Sequence, residues 1–369
     1  MIEVRDTKIK VLIIDDSLTA RRVLEDIINA APDMTVVGTA ADVYEAREIM
    51  RRVIPDVITL DIEMPRMDGL TFLDKLMRAM PIPVLMVSAL TQDNALATFK
   101  ALELGAVDYI AKPARGLFIN LEDLAEEVRE KVRVAASVPR AALERHRFRE
   151  KMPPGTRQTL ETDEFSIIRS APLFTKPHPL IAIGASTGGT ITIESLLRYL
   201  NHRTMPPIVI VQHIPPHFSR SFAERLDSLL PFTVKEAQGT HLLKPGEVII
   251  AAGGFHLTVE KTPEGYVATS RDGERVNHHK PSVDVLFSSV ASAACDNAIG
   301  IILTGMGNDG AKGLLEIHCA RGLTLAQSKE GCAVYSMPRA AVEIGAVDIQ
   351  LSVEGIAGYL NRIFGGELS

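Results

Sequence analysis

Ser186 is placed as an enzyme nucleophile would be. It lies in the stretch Pro179–Leu200, PLIAIGASTGGTITIESLLRYL, where Gly184-Ala185-Ser186-Thr187-Gly188 fits G-x-S-x-G. That pattern sets a serine on a sharp strand-to-helix corner with its hydroxyl exposed, ready for acyl transfer. The amphipathic run that follows, with Ile191, Leu196, Leu197 and Leu200 at helical spacing, would aim free N–H groups at whatever binds beside the serine. The same Gly-rich turn also fits a phosphate cradle, although neither G-x-G-x-x-G nor the lysine of a P-loop is present.

A serine nucleophile needs a base, and the base needs an orienting carboxylate, brought together in space rather than in sequence. Ten histidines compete for the role. His213 directly follows the apolar run MPPIVIVQ, so it shares the strand-end layer with Ser186. His217 falls four residues later in the first turn of a helix and points elsewhere; His241, His256 and His318 have no strand-end placement. The pair His278-His279, ahead of Lys280-Pro281-Ser282, suits the wall of a substrate cleft. For the carboxylate, Asp309 sits in Gly305-Met306-Gly307-Asn308-Asp309-Gly310 after the strand-like IGIILTG. Glycines that dense imply positive φ or close backbone approach. Asp284 and Asp296 read instead as a helix residue and a helix end.

A second constellation lies in the first third of the chain. Asp15 and Asp16, Asp61, Ser88 and Lys112-Pro113 each follow or end a separate apolar run. Three carboxylates converging on one rim repel one another unless a cation sits among them, and hard oxygen ligands with room for water suit Mg²⁺. Lys112 would neutralise charge and Ser88 donate a hydrogen bond to a phosphoryl group bound there.

The elements that must carry these residues are strands alternating with helices. KVLII, MTVVG, DVITL, PVLMVS and VDYIA read as strands, with helices around 19–30, 43–52, 70–79, 92–104 and 117–134. Five such units make one flavodoxin-like doubly wound domain, in which ligands bind beyond the carboxyl ends of the strands. From about Ala135 to His178 the periodicity fades and prolines recur, which predicts a helix end followed by an irregular tether. Beyond it the alternation resumes in a second mostly parallel α/β domain, where FTVKEA, EVIIAA, HLTVEK and GYVATS suit an antiparallel edge. The expected division is 1–135, a linker over 136–178, and 179–369.

Composition narrows the function classes. The chain has 369 residues, 46% hydrophobic and 23% charged, with a formal net charge of −6. No basic footprint or recognition helix argues for nucleic acid. No apolar run reaches the ~18 residues of a membrane helix, and the start MIEVRDTK lacks a signal-peptide core. Cys295, Cys319 and Cys332 form no C-x-x-C pair and read as reduced thiols, so the expected location is cytoplasmic.

Residues 9 to about 135 resemble a response-regulator receiver domain, on the IDDS start, LDIEMPRMDG around Asp61, the hydroxyl of Ser88, and Lys112-Pro113. The resemblance implies that Asp61 is the phosphoacceptor and that Asp15, Asp16 and Asp61 hold Mg²⁺, with the backbone of Glu63 as a further ligand. Tyr109 matches the family's aromatic switch position.

The order Ser…His…Asp is not that of the α/β-hydrolases. The second domain instead resembles the catalytic domain of the chemotaxis protein-glutamate methylesterases (the CheB family), on IGASTGGT, VQHIPPHFSRSFAERL, HHKPSVDVLF, ILTGMGNDGAKGLL and MPRAAVEIGAVD. Carried over, the family's triad falls on Ser186, His213 and Asp309, with the backbone N–H of Met306 as oxyanion donor and Thr187 beside the substrate. The resemblance implies a serine hydrolase that demethylates glutamate methyl esters on methyl-accepting chemoreceptors, deamidates glutamines there, and needs no cofactor for hydrolysis. A chemotaxis-type histidine kinase would phosphorylate Asp61, freeing a serine cleft that the unphosphorylated receiver covers. The chain departs from the usual family pattern at His217, at Ser336 and around Gln327, and none of these removes a catalytic group. The competing reading is a non-enzymatic response regulator whose second domain binds a nucleotide or phospho-ligand at Gly184–Gly189.

Overall fold

The structure, a computed structural model, describes residues 8–89, 91–112, 121–138, 162–171, 173–216 and 218–365. His217, Pro113 and residues 139–161 of the expected linker lie outside them. The chain divides into two compact units, Met1–Pro153 and Pro154–Ser369.

The first unit alternates β1 (Ile9–Ile14), α1 (Leu18–Asn29), β2 (Met34–Ala40), α2 (Val43–Met50), β3 (Val57–Asp61), α3 (Gly69–Ala79), β4 (Val84–Ala89), α4 (Gln92–Glu103), β5 (Asp108–Lys112) and α5 (Leu121–Ser137). All strand pairs are parallel, in the order β2-β1-β3-β4-β5. Both faces of the sheet are covered, so β1, β3 and β4 are near-continuous apolar runs rather than alternating ones. Four helices start where the sequence supplies an N-cap: Ser17, Asp42, Asp68 and Thr91 each accept a backbone N–H of the first turn. Asp61 pairs in register with Val87, and Ser88 with Ala111, which brings the ends of β3, β4 and β5 to one rim.

The second unit opens with α6 (Thr162–Ser170), inside the segment read from sequence as an irregular tether. Its Glu164 accepts the Ser352 hydroxyl at 2.7 Å, and Ile168 is fully buried. The segment is a docked helix because its partner lies far along the chain.

There follow β6 (Leu180–Ala185), α7 (Gly189–Tyr199), β7 (Ile208–Gln212), α8 (Phe218–Leu229), β8 (Thr233–Glu236), β9 (Thr240–Leu242), β10 (Glu247–Ile250), β11 (His256–Thr262), β12 (Gly265–Arg271), α9 (Val283–Ala294), β13 (Ala298–Ile302), α10 (Ala311–Cys319), β14 (Leu323–Gln327), α11 (Ser336–Glu343), β15 (Ile349–Leu351) and α12 (Val353–Ile363). Seven strands form one parallel sheet in the order β15-β14-β13-β6-β7-β10-β8. The antiparallel pairing expected at an edge forms a separate sheet instead, β11-β12-β9. The β11–β12 hairpin pairs with the short β9, which the sequence reading passed over, while β8 takes the parallel edge beside β10. After β6 the chain runs outward through β7, then returns to place β13 on the other side of β6. That reversal is the switch point at which doubly wound sheets bind their ligands.

Candidate functional site

Ser186, His213 and Asp309 follow β6, β7 and β13, three adjacent strands. Ala185 pairs with Gln212, and the His213 N–H donates to the Ala185 carbonyl at 3.0 Å, so residues 186 and 213 leave the sheet side by side. The Ser186 N–H is tied to the Thr304 carbonyl at 3.0 Å. Its own carbonyl accepts the Gly189 N–H and the Gln212 side-chain amide, both at 2.8 Å. The corner is therefore fixed from three sides.

Two glycines make the corner possible. Gly188 has φ +77°, the left-handed region a side chain disfavours. At Gly305 an added Cβ would stand 2.8 Å from the Cβ of Ser186 and 2.1 Å from the Met337 sulfur, so the G-M-G loop can lie this close only without a side chain. The turn itself is closely packed: a Cβ on Gly189 would meet the Gln212 amide oxygen at 2.1 Å, and one on Gly188 would meet Ala333 at 2.6 Å.

Nε2 of His213 lies 2.8 Å from Oδ2 of Asp309, and both side chains are buried. Asp309 also accepts the Asn277 amide at 2.7 Å, the Ser282 hydroxyl at 2.8 Å, and the backbone N–H groups of Val283 at 2.6 Å and Asp284 at 3.3 Å. The last two open α9, so the carboxylate caps a helix N-terminus. Burial alone would raise its pKa, but these bonds and the neighbouring imidazole outweigh it and hold Asp309 well below the usual carboxylate range. A carboxylate so held accepts a proton-bearing Nε2, which leaves the lone pair on Nδ1. That Nδ1 is buried and has no hydrogen-bond partner among the described residues. Such a nitrogen can receive a hydroxyl proton while Asp309 steadies the resulting cation.

The remaining residues expected at this site lie around it. Thr187 is buried, its carbonyl accepting the Thr304 hydroxyl at 3.0 Å, and Met306 adjoins Gly305. His279 stacks on His213, ring centroids 3.6 Å apart. His256 is structural, with its ring nitrogens on the Glu274 carbonyl and the Ser282 N–H. His241 and His318 sit in β9 and α10. Sequence reasoning missed Asn277, Ser282 and Gln212. Only Gln212 had a visible signal, a lone amide at the buried end of a strand.

The first unit carries the second constellation. Lys112 Nζ lies 2.8 Å from a carboxylate oxygen of both Asp15 and Asp61. Carboxylate oxygens of Asp15, Asp16 and Asp61 all lie within 4.8 Å of one another. Burial, with repulsion from Asp15 and Asp16 against the pull of Lys112, pushes the Asp61 carboxyl up to about 6. Three carboxylates facing one ammonium leave negative charge uncompensated, and the oxygen donor set suits a hard divalent cation. Ser88 is buried at the end of β4. Tyr109 is buried in β5, its carbonyl bonded to Lys131 Nζ at 2.5 Å and its ring under the same ammonium at 4.9 Å. Among the described residues no helix is long and apolar enough to cross a membrane.

The chain resembles known proteins along nearly its whole length. A family model described as CheB methylesterase matches residues 181–360, and one described as response regulator receiver domain matches residues 11–126. A protein-glutamate methylesterase/protein-glutamine glutaminase of Pectobacterium atrosepticum is 46% identical, covering 93% of this chain and 93% of the relative. One of Hahella chejuensis is 48% identical over 96% of each. A third, from Pseudomonas aeruginosa, is 46% identical over 95% of this chain and 96% of its own.

Proposed function

Because the chain belongs to the family of CheB-type protein-glutamate methylesterase/protein-glutamine glutaminases with a receiver domain, we propose that it is a phosphorylation-activated serine hydrolase acting on chemoreceptors. It removes methyl esters from glutamate side chains and deamidates glutamines, in adaptation of a chemotaxis-type pathway. The observation that carries the hydrolytic reading is the His213–Asp309 bond at 2.8 Å, with a buried Nδ1 left over beside the corner that holds Ser186.

Nδ1 of His213 takes the Ser186 proton as Oγ attacks the γ-carbonyl of the substrate side chain. Asp309, already bonded to Nε2, stabilises the imidazolium. The backbone N–H of Met306 takes the oxyanion, with Thr187 against the bound side chain; such a donor is worth ~3–4 kcal/mol in other hydrolases. The imidazolium returns its proton to the departing methoxide, or to the amide nitrogen of glutamine, which leaves as ammonia. Water, deprotonated by the same nitrogen, clears the acyl-enzyme and restores glutamate and Ser186.

In the receiver domain Asp15, Asp16 and Asp61, with the backbone of Glu63, would hold Mg²⁺, and the ion when bound would supply positive charge for a phosphoryl group. Asp61 accepts that group from a chemotaxis-type histidine kinase, Lys112 pairs with it, and Ser88 donates a hydrogen bond. The substrate is the cytoplasmic helical region of a receptor, which puts the enzyme in the cytoplasm. The proposed limits are 1–135 for the receiver and 179–369 for the core of the catalytic domain, with α6 of the intervening segment docked on the second unit.

The test counts methanol released from receptor carrying labelled methyl groups, with and without Mg²⁺ and a small phosphodonor, with Ser186→Ala alongside. Release that rises with the phosphodonor and vanishes in the variant is expected. Release that persists in Ser186→Ala would remove the serine from the mechanism.

A further inference from the structure

The loop before α9 holds an unusual piece of backbone. Asn277 and His278 are consecutive non-glycine residues in the left-handed region, at φ +50° and +67°. Val276 and His279 close the turn by exchanging both backbone hydrogen bonds, at 3.0 and 2.9 Å. Two left-handed residues between a bridged pair is the geometry of a type I′ turn, which favours Asn and Gly. Strain of this kind persists where surrounding contacts over-determine it, and it gathers at functional sites.

The contacts are specific. From the first strained position the Asn277 amide donates to Asp309 and to Asp284, both at 2.7 Å. From the end of the turn the His279 ring lies on the His213 ring at 3.6 Å, only 14° from parallel. One four-residue turn thus touches both members of the hydrogen-bonded pair.

We propose that this turn is a positioning device for hydrolysis, with His279 the plate that fixes the plane of His213 and Asn277 the clamp that fixes Asp309. The proposal rests on Ser186, His213 and Asp309 being the catalytic residues. Nε2 lies close to the Cβ–Cγ axis about which the imidazole turns, so a single hydrogen bond there restrains that rotation only weakly. That rotation swings Nδ1 away from the serine. A flat ring against one face stops it and closes that face to water. The plate must also stay uncharged, because a second cation at stacking distance would oppose the imidazolium that forms on His213. Burial, then the repulsion of His213 with His278 and Arg275, outweighs the attraction of Asp309 and holds His279 down to about 3. A neutral ring face attracts the transient cation instead.

The test compares His279→Phe, which keeps a flat neutral face, with His279→Leu, which fills the space without one. Both are made in the full chain, activated with Mg²⁺ and a small phosphodonor, and thermal melts check that both fold. His279→Phe is expected to stay within about threefold of the parent kcat, and His279→Leu to lose about 100-fold in kcat with KM unchanged, as for a misaligned reacting group. Equal losses in the two variants, a change confined to KM, or full activity in His279→Leu would each overturn the proposal. Ser186→Ala separates the two levels. If it still hydrolyses, the catalytic assignment fails; if it is inert while His279→Leu is fully active, only the positioning role fails.

Discussion

His213 meets Asp309 through Nε2 at 2.8 Å, so the nitrogen left to serve Ser186 in the proposed mechanism is Nδ1. The carboxylate dictates which nitrogen carries the proton. In Asp309→Asn the amide NH₂ can take the place of the accepting oxygen and donate to Nε2, which moves the imidazole proton to Nδ1 and removes the base. The kcat for methanol release should fall about 10⁴-fold, the scale seen when a triad aspartate becomes an amide. Phosphorylation of Asp61 should be unchanged, and a single-turnover assay beside a phosphorylation assay separates the two.

Gly305→Ala tests the close approach of the G-M-G loop. The new methyl would stand 2.1 Å from the Met337 sulfur and 2.8 Å from the Cβ of Ser186. Met337 is fully buried, so the loop itself must move. Overpacking of this kind costs about 1–3 kcal/mol, read as a lower denaturation midpoint. A shift of the serine by about 1 Å should lower kcat about 100-fold even where the protein folds. Unchanged kcat would mean that the loop does not set the serine position.

The raised pKa of Asp61 makes the receiver site pH-dependent in a definite direction. Below about 6 the carboxyl is protonated; above it, it is the anion that both a cation and a phosphoryl transfer require. Mg²⁺ affinity and phosphorylation by a small donor should therefore weaken as pH falls through that value. Carboxyl NMR should find the titration moved down by Mg²⁺, whose charge favours the anion. Lys112→Met should move it further up, because the lysine holds it down in the parent.

Helix α6 should belong to the catalytic unit energetically. A fragment beginning at residue 160 keeps the Glu164–Ser352 bond and the buried Ile168, whereas one beginning at 179 loses both. The shorter fragment is expected to unfold about 2–4 kcal/mol more easily, from one buried aliphatic side chain and a charged hydrogen bond. Equal urea midpoints for the two fragments would show α6 to be dispensable.

Residues whose placement depends on strand position were legible in the sequence. Asp15, Asp61, Ser88 and Lys112 end or follow short apolar runs, and the parallel sheet brings such ends to one rim. His213 and Asp309 could be picked from their rivals by the same placement. Asn277 and Ser282 could not, because their roles come from a single carboxylate 32 and 27 residues away and no periodicity marks such a bond. Helix α6 was missed for a related reason. Nine residues give little helical pattern, and what orders them is Glu164 reaching a residue 188 positions along the chain. The separate β11-β12-β9 sheet was half legible: its hairpin strands alternate, but which neighbour they choose is a tertiary decision.

The strand order has a consequence for how the chain is made. Ser186 and His213 follow the neighbouring strands β6 and β7, but Asp309 follows β13 and lies 96 residues beyond His213. In the proposed assignment, a chain that ends before β13 holds the serine and the histidine but not the carboxylate that sets the tautomer, so the catalytic set is complete only when β13 has been made.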